Sequence, residues 1–266
     1  MKVKSLRNLV HVRRVTLYNI ASIVLLLILW EVSVRIIRSP FFPSVTDVAN
    51  AFIRITFVGD IEGYTLLDHS VASILRILTG FSFACLTGIP LGLVVGLKHE
   101  TYDSLKSIIE PIRFIPPIAW IPLAYVLLSG YSRYILIIWL GAFFPILLNT
   151  IAGVNRTNPV LIDVAKTFGA SEKSIVSKVV IPSSLPEAAA GMRIGLGVGW
   201  MCIVAAEMIG GESVGLGRLI IKYANLLQID VSVMGMIAIG LIGLLMNEIF
   251  LKAEKRLFVW RTEIKM

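Results

Sequence analysis

The chain has 266 residues, of which 56% are hydrophobic and only 16% charged, against about 25% charged in soluble domains. This composition excludes an ordinary soluble domain and makes the chain an integral membrane protein, one domain by length. The net charge of +8 does not point to nucleic acid, because the basic residues gather at the ends of apolar runs, a pattern of membrane orientation.

Residues 1–16 form a basic N-terminal segment with Lys2, Lys4, Arg7, Arg13 and Arg14. The apolar run 17–37 follows. It is too long for a signal-peptide core and no small-x-small cleavage site follows it, so it reads as a retained span. Glu31 and Arg35 stand four residues apart near its end and can pair. In the next segment Pro40 and Pro43 bracket Phe41 and Phe42, and Ser44 with Asp47 resembles a capping pair. Val48, Ala51, Phe52 and Ile55 then predict a short amphipathic helix.

The second span is 70–97. Gly80, Ala84, Gly88, Gly92 and Gly96 recur along it every four residues, a stripe where another helix backbone can approach closely. A polar loop over 98–107 precedes the third span, 108–129, which Pro111, Pro116, Pro117 and Pro122 make unlike a straight helix. Carbonyls freed at such a break need protein or a water-lined cavity, so a transport path is one reading. The fourth span is 134–154.

The polar segment 155–186 interrupts this apolar text. Asn158 and Pro159 form a helix start. Leu161, Val164, Ala165 and Phe168 make one helical face, and Gly169 is a stop that accepts a positive φ. Ser171 caps a second helix with Ile175, Val176 and Val179 on its apolar face, which Pro182 and Pro186 end. Spacing alone also fits a plain loop resting on the membrane surface.

The fifth span, 187–210, carries a second small-residue stripe, Gly191, Gly195 and Gly199. A short helix is predicted over 216–228 and the sixth span over 231–251. The tail 252–266 is basic again. Six spans put both termini on one side. Lys and Arg number five in the N-terminal segment, two in the loop at Lys98, four in the central segment and five in the tail, against two, one and two in the other loops. The excess assigns both termini and the central segment to the cytoplasm.

Several chemistries are missing from the text. No Lys follows a Gly, so there is no Gly-Lys-Ser/Thr phosphate loop and no ATPase of that type. Cys85 and Cys202 lie in apolar runs without metal-ligand company. No catalytic triad, metal set or cofactor motif is recognisable, and the expectation is no catalytic residue, no cofactor and no metal. Glu31, Arg193, Glu207 and Glu248 fall near span ends, which disfavours ion-gradient coupling.

At the central segment the sequence resembles permease subunits of ATP-binding cassette importers. Their signature is Glu-Ala-Ala, three residues, Gly, nine residues, then Ile-x-Leu-Pro. Here Asp163, Val164 and Ala165 fill the first places, Gly169 the glycine place, and Val179, Ile181 and Pro182 the last. Asp replaces Glu, Val replaces Ala, Val replaces Ile and Ile replaces Leu. Leu185-Pro186, Gly191-Met192-Arg193, Ala205-Ala206-Glu207-Met208 and Gly215-Leu216-Gly217 look like the nitrate, sulfonate and taurine branch, and the resemblance runs from about Phe42 to the end.

The resemblance implies an all-α, six-span fold of the type I importer permease, with residues 17–251 as the permease domain. It implies that 155–186 is a coupling loop docking on a separate ATPase subunit, with Asp163, Ala165, Gly169, Val179, Ile181 and Pro182 as coupling residues. An outer solute-binding protein would deliver a small solute such as nitrate, a sulfonate or taurine, and alternating access would move it across the cell membrane. Since one chain holds one coupling loop, a homodimer is expected, with a heterodimer as the alternative. A secondary transporter or channel is the rival reading and a membrane enzyme the third.

Overall fold

Capping chemistry and proline geometry set several helix boundaries in the computed structural model, which describes residues 2–39 and 41–258, with side chains from residue 17 onward except 99, 100 and 103. Pro40, Arg261 and Lys265 lie outside the described residues. Among those described there is no strand. The helices are α1 (Lys2–Ile37), α2 (Val45–Phe57), α3 (Leu66–Leu97), α4 (His99–Phe114), α5 (Ile121–Leu127), α6 (Ser132–Asn155), α7 (Pro159–Thr167), α8 (Glu172–Ile175), α9 (Ile181–Ile209), α10 (Leu216–Asn225) and α11 (Ile229–Leu257). Among the described residues five helical stretches are long and apolar enough to cross a membrane: Leu17–Ile37, Leu66–Leu97, Ser132–Asn155, Glu172–Ile209 and Ile229–Leu257. A shorter apolar one covers Pro117–Leu127.

The chain divides into two compact units, residues 1–66 with 220–236, and residues 67–219 with 237–266. In the first unit, α2 forms where the spacing predicts it. The Ser44 side chain accepts the Asp47 N–H, and the Asp47 carboxylate accepts the Ser44 N–H, a reciprocal capping box. Val48, Ala51 and Ile55 are buried, whereas Phe52 is exposed. Glu31 bridges Arg35 and the Val45 N–H, tying the end of α1 to the start of α2. Asp60 is held by Lys222 Nζ at 2.7 Å and by the N–H groups of Glu62 and Tyr64.

In the second unit α6 is the central helix. The stripe of α3 lies along it: a Cβ on Gly80 would stand 2.6 Å from the Ile138 Cβ, one on Gly92 2.6 Å from the Thr150 Cβ, and one on Gly96 2.9 Å from the Val154 Cβ. The stripe of α9 uses the same partner. A Cβ on Gly191 would stand 2.6 Å from the Asn149 Cβ, and one on Gly195 2.9 Å from the Ala142 carbonyl oxygen. Both small-residue rows therefore serve helix packing within one chain, where close backbone approach replaces the hydrophobic effect that lipid cannot supply.

Two boundaries differ from expectation, and the proline break of the third span falls where it was expected. The expected polar loop 98–107 is helical from His99, and α4 runs on through Pro111 to Phe114. The chain then breaks at Ile115 (φ −72, ψ 116) and Pro116 (φ −57, ψ 132), because each precedes a proline and is pushed out of the helical region. A 3-10 turn over Pro117–Trp120 leads into α5, so the predicted third span is discontinuous. The second difference is at Pro182 and Pro186, which do not end a helix. A π turn over Val176–Val180 joins α8 to α9, and the Ile181 N–H reaches back to the Val176 carbonyl. The wider turn shifts the hydrogen-bond register one residue, so Pro182 enters as an early residue of α9.

Candidate functional site

The central polar segment builds a helix–turn–helix from local chemistry. The Asn158 side chain accepts the Val160 N–H and Pro159 is the first residue of α7. At the other end Ala170 N–H bonds the Ala165 carbonyl and Gly169 N–H bonds the Lys166 carbonyl. This double closure needs a left-handed residue, which is Gly169 at φ +73. Nothing lies within 4 Å of a Cβ built there, so the glycine answers to backbone conformation alone. Ser171 then caps α8 by accepting the Ser174 N–H.

The six predicted coupling residues are not equivalent. Val154, Ile175 and Val180 form a buried cluster, and Ile162, Ala165, Ala170 and Val179 pack against it. Ala165 and Val179 thus hold the hairpin together. Ile181 and Pro182 are half-buried at the start of α9. Asp163 is exposed, and its carboxylate has no hydrogen bond or ion pair among the described residues.

Most of the apolar face predicted on α7 turns outward. Val160, Leu161 and Val164 are exposed, and Phe168 is 87% exposed. Only Ala165 of the expected stripe faces the cluster, joined by Ile162. The apolar arc of α7 is wide enough that its spacing carries no local signal of which part turns inward. The outcome is a surface of large apolar side chains around Asp163 and Lys166 that this chain leaves open.

A second constellation was only partly legible. Glu207 in α9 is 1% exposed and accepts from Arg76 Nη1 at 2.7 Å, Ser73 Oγ at 2.9 Å and the Gly217 N–H at 3.0 Å. Ser73 Oγ accepts the Leu216 N–H, and Arg76 also donates to the Val214 carbonyl. His69, one residue before the expected second span 70–97, lies inside α3 and is fully buried, its Nδ1 3.0 Å from the Gly215 nitrogen. Gly215 has φ +151, and a Cβ there would stand 2.6 Å from the Glu207 carboxyl carbon. The motifs around Glu207 and Gly215 were visible in the sequence. Arg76, the partner that makes a buried carboxylate tolerable, was not singled out. This node locks the segment 214–217 to α3 and α9 and uses up its own charges, so it offers no free ionisable group.

Among the described residues no His, Cys, Asp and Glu cluster could hold a metal.

Comparison with known proteins accords with this architecture. Residues 88–257 match the model of the family described as binding-protein-dependent transport system inner membrane component. A protein of Methanocaldococcus jannaschii, provisionally named an ABC transporter permease, is 41% identical over 243 residues, covering 91% of each chain. The taurine transport system permease protein of Escherichia coli K12 is 36% identical over 256 residues, covering 95% of this chain and 92% of its own. Among solved structures, an inward-facing form of the MetNI methionine ABC transporter superposes with a TM-score of 0.58 at 20% identity, over 74% of this chain and 96% of that one, and shows the fold. The chain belongs to the binding-protein-dependent transport system inner membrane components, as an ABC importer permease of the nitrate, sulfonate and taurine branch.

Proposed function

We propose that this permease carries a small solute bearing an oxyanion, of the nitrate, sulfonate or taurine kind, by alternating access. The energy comes from separate ATPase subunits that dock on the central segment, since the chain has no phosphate-binding loop of its own. A solute-binding protein outside the cell membrane delivers the solute. Two copies of the chain pair, so that two ATPases each find one docking segment. Both termini and residues 155–186 lie in the cytoplasm, as the Lys and Arg distribution supports.

The observation that carries this reading is the outward face of α7. Val160, Leu161, Val164 and Phe168 are exposed together beside an unpaired Asp163. Large apolar side chains around a free charge are the composition of a protein interface rather than of a solvated loop. Asp163 and the apolar face contact the ATPase, Gly169 sets the turn, and Ala165, Val179, Ile181 and Pro182 transmit its movement into α9. The buried Arg76–Glu207 pair is an argument against ion-gradient coupling, because neither group is free to titrate or bind an ion.

The test is purification of the permease from its own membrane. The expected result is co-purification of an ATPase subunit and a permease pair on cross-linking. Protein that arrives without an ATPase, in detergents that preserve the fold, sinks the reading.

A further inference from the structure

We propose that the cavity between α9 and α11 is a transit subsite for the anionic group of the carried solute, with Arg193 as its charge. This deepens, and rests on, the reading of the chain as an importer permease. The cavity holds about 340 Å³ and its lining includes Arg193, Leu196, Trp200, Ile239, Gly243 and Asn247. Its walls are apolar apart from the guanidinium and the amide.

Arg76, Arg113, Arg133 and Arg156 each face a carboxylate. Arg193 has no hydrogen bond or ion pair among the described residues, and neither does Asn247. Both helices are long and apolar enough to cross a membrane. About 24 Å of helix rise separates Arg193 from Ile209, and about 27 Å separates Asn247 from Ile229, at about 1.5 Å per residue. The two polar groups therefore sit at matching levels, each one to two turns inside the same end of its span. A cation on such a helix is expensive without a counter-charge, and is found facing a pathway or a partner.

The geometry of the walls suits an anion that passes rather than stays. The Trp200 indole N–H is already spent on the Ile239 carbonyl at 3.2 Å, which fixes the ring as a wall. A Cβ on Gly243 would stand 3.0 Å from that nitrogen, so the glycine makes room for the ring. What remains to greet a solute is a guanidinium fork, which matches trigonal and tetrahedral oxyanions with two parallel N–H groups, and one amide. At about 30 Å³ per water volume the cavity exceeds nitrate several-fold and admits a small sulfonate. One charge in an apolar cavity gives recognition without a deep trap.

The test uses the assembled transporter, permease with its ATPase subunits, in nanodiscs of neutral phosphatidylcholine and of anionic phosphatidylglycerol. Nitrate, which quenches indole fluorescence, is the probe, and methanesulfonate is the competitor. Wild type should show a saturable quenching phase that methanesulfonate displaces, equal in both lipids, and lost in Trp200→Phe. Arg193→Gln should weaken it by roughly tenfold or more, and Arg193→Lys, which keeps the charge but loses the fork, should fall between Arg193→Gln and wild type. Gly240→Leu is a second variant that retains every polar group. Nothing lies within 4 Å of a Cβ at Gly240, so the new side chain fills the cavity and should abolish the phase even if Arg193→Gln proves unstable. No saturable phase in wild type, or one that survives Arg193→Gln and Gly240→Leu, overturns the subsite. A phase seen only in phosphatidylcholine also overturns it and assigns Arg193 to a lipid headgroup. Absence of bound ATPase in the wild-type preparation would instead overturn the importer reading itself.

Discussion

Arg76 Nη1 lies 2.7 Å from Glu207 Oε1, in an ion pair whose side chains are 9% and 1% exposed. Ser73 and the Gly217 N–H complete the carboxylate's shell, and the guanidinium stands 4.6 Å over the Tyr134 ring. Removing one member of such a pair leaves an uncompensated buried charge, at a cost of about 3–5 kcal/mol. Glu207→Ala and Arg76→Leu should each lower membrane abundance and the thermal midpoint of the purified protein. Glu207→Gln, which still accepts from Ser73 and Gly217, should fall between them and wild type. Unchanged midpoints in both single variants would show that the node does not hold the fold.

The turn at Gly169 separates coupling from folding. Its φ of +73 strains any β-branched residue by about 1–2 kcal/mol, yet no neighbour is within 4 Å to clash. Gly169→Val should therefore reach normal membrane levels while uptake and ATPase association collapse. Asp163→Ala should act the same way more mildly, and Gly169→Asn, which tolerates the left-handed region, should keep most function. Uptake, co-purified ATPase and permease abundance are measured in the same membranes. Normal transport by Gly169→Val would remove the central segment from the coupling path.

Phe168 is 87% exposed at the end of α7 and stabilises nothing within the chain. Phe168→Ser should change stability by no more than about 0.5 kcal/mol, as for exposed sites elsewhere, leaving the thermal midpoint near wild type, and should weaken ATPase binding. A drop in midpoint with unchanged binding would place Phe168 against the permease's own surface.

Orientation is tested by chemistry at two positions. A cysteine near Asn155 should be shielded from an impermeant thiol reagent in intact cells, and one near Gly59 should react. The reverse pattern would overturn the charge-based topology.

The Asp60–Lys222 pair predicts a pH window. Burial alone would raise Asp60, but the bond from Lys222 and the N–H groups of Tyr64 and Glu62 outweigh it and hold the carboxyl below its ordinary value. Burial would likewise lower Lys222, and its bonds to Asp60 and Glu62 outweigh that and raise it. A lowered acid stabilises the fold above its ordinary value and loses that as pH falls through the folded value. A raised base stabilises below its ordinary value and loses that as pH rises through the folded one. The pair's contribution should be flat between about pH 5 and pH 9 and shrink at both extremes. Thermal midpoints of Asp60→Asn against wild type should differ most inside that window. A difference that grows toward acid would contradict the assignment.

What the sequence determined by itself was everything governed by near neighbours and by composition. The apolar runs specify membrane-length helices, because a buried backbone must bond to itself in lipid. Ser44 with Asp47, Asn158, Gly169 and Ser171 place helix ends, because capping involves residues two to four apart. The small-residue rows on α3 and α9 announced close packing, though not that α6 receives both. Tertiary structure decided the rest. Arg76 meets Glu207 across 131 positions, a separation at which no periodicity reports. The helix continues past Pro182 because a π turn absorbs the proline, a register change that a local rule for proline does not contain. The outward face of α7 was chosen by what its other face could bury, Val154, Ile175 and Val180, two of them beyond the turn and one before the helix begins. Burial is a property of the assembled neighbours, so the same residues spell the same periodicity whether they face a core or await a partner.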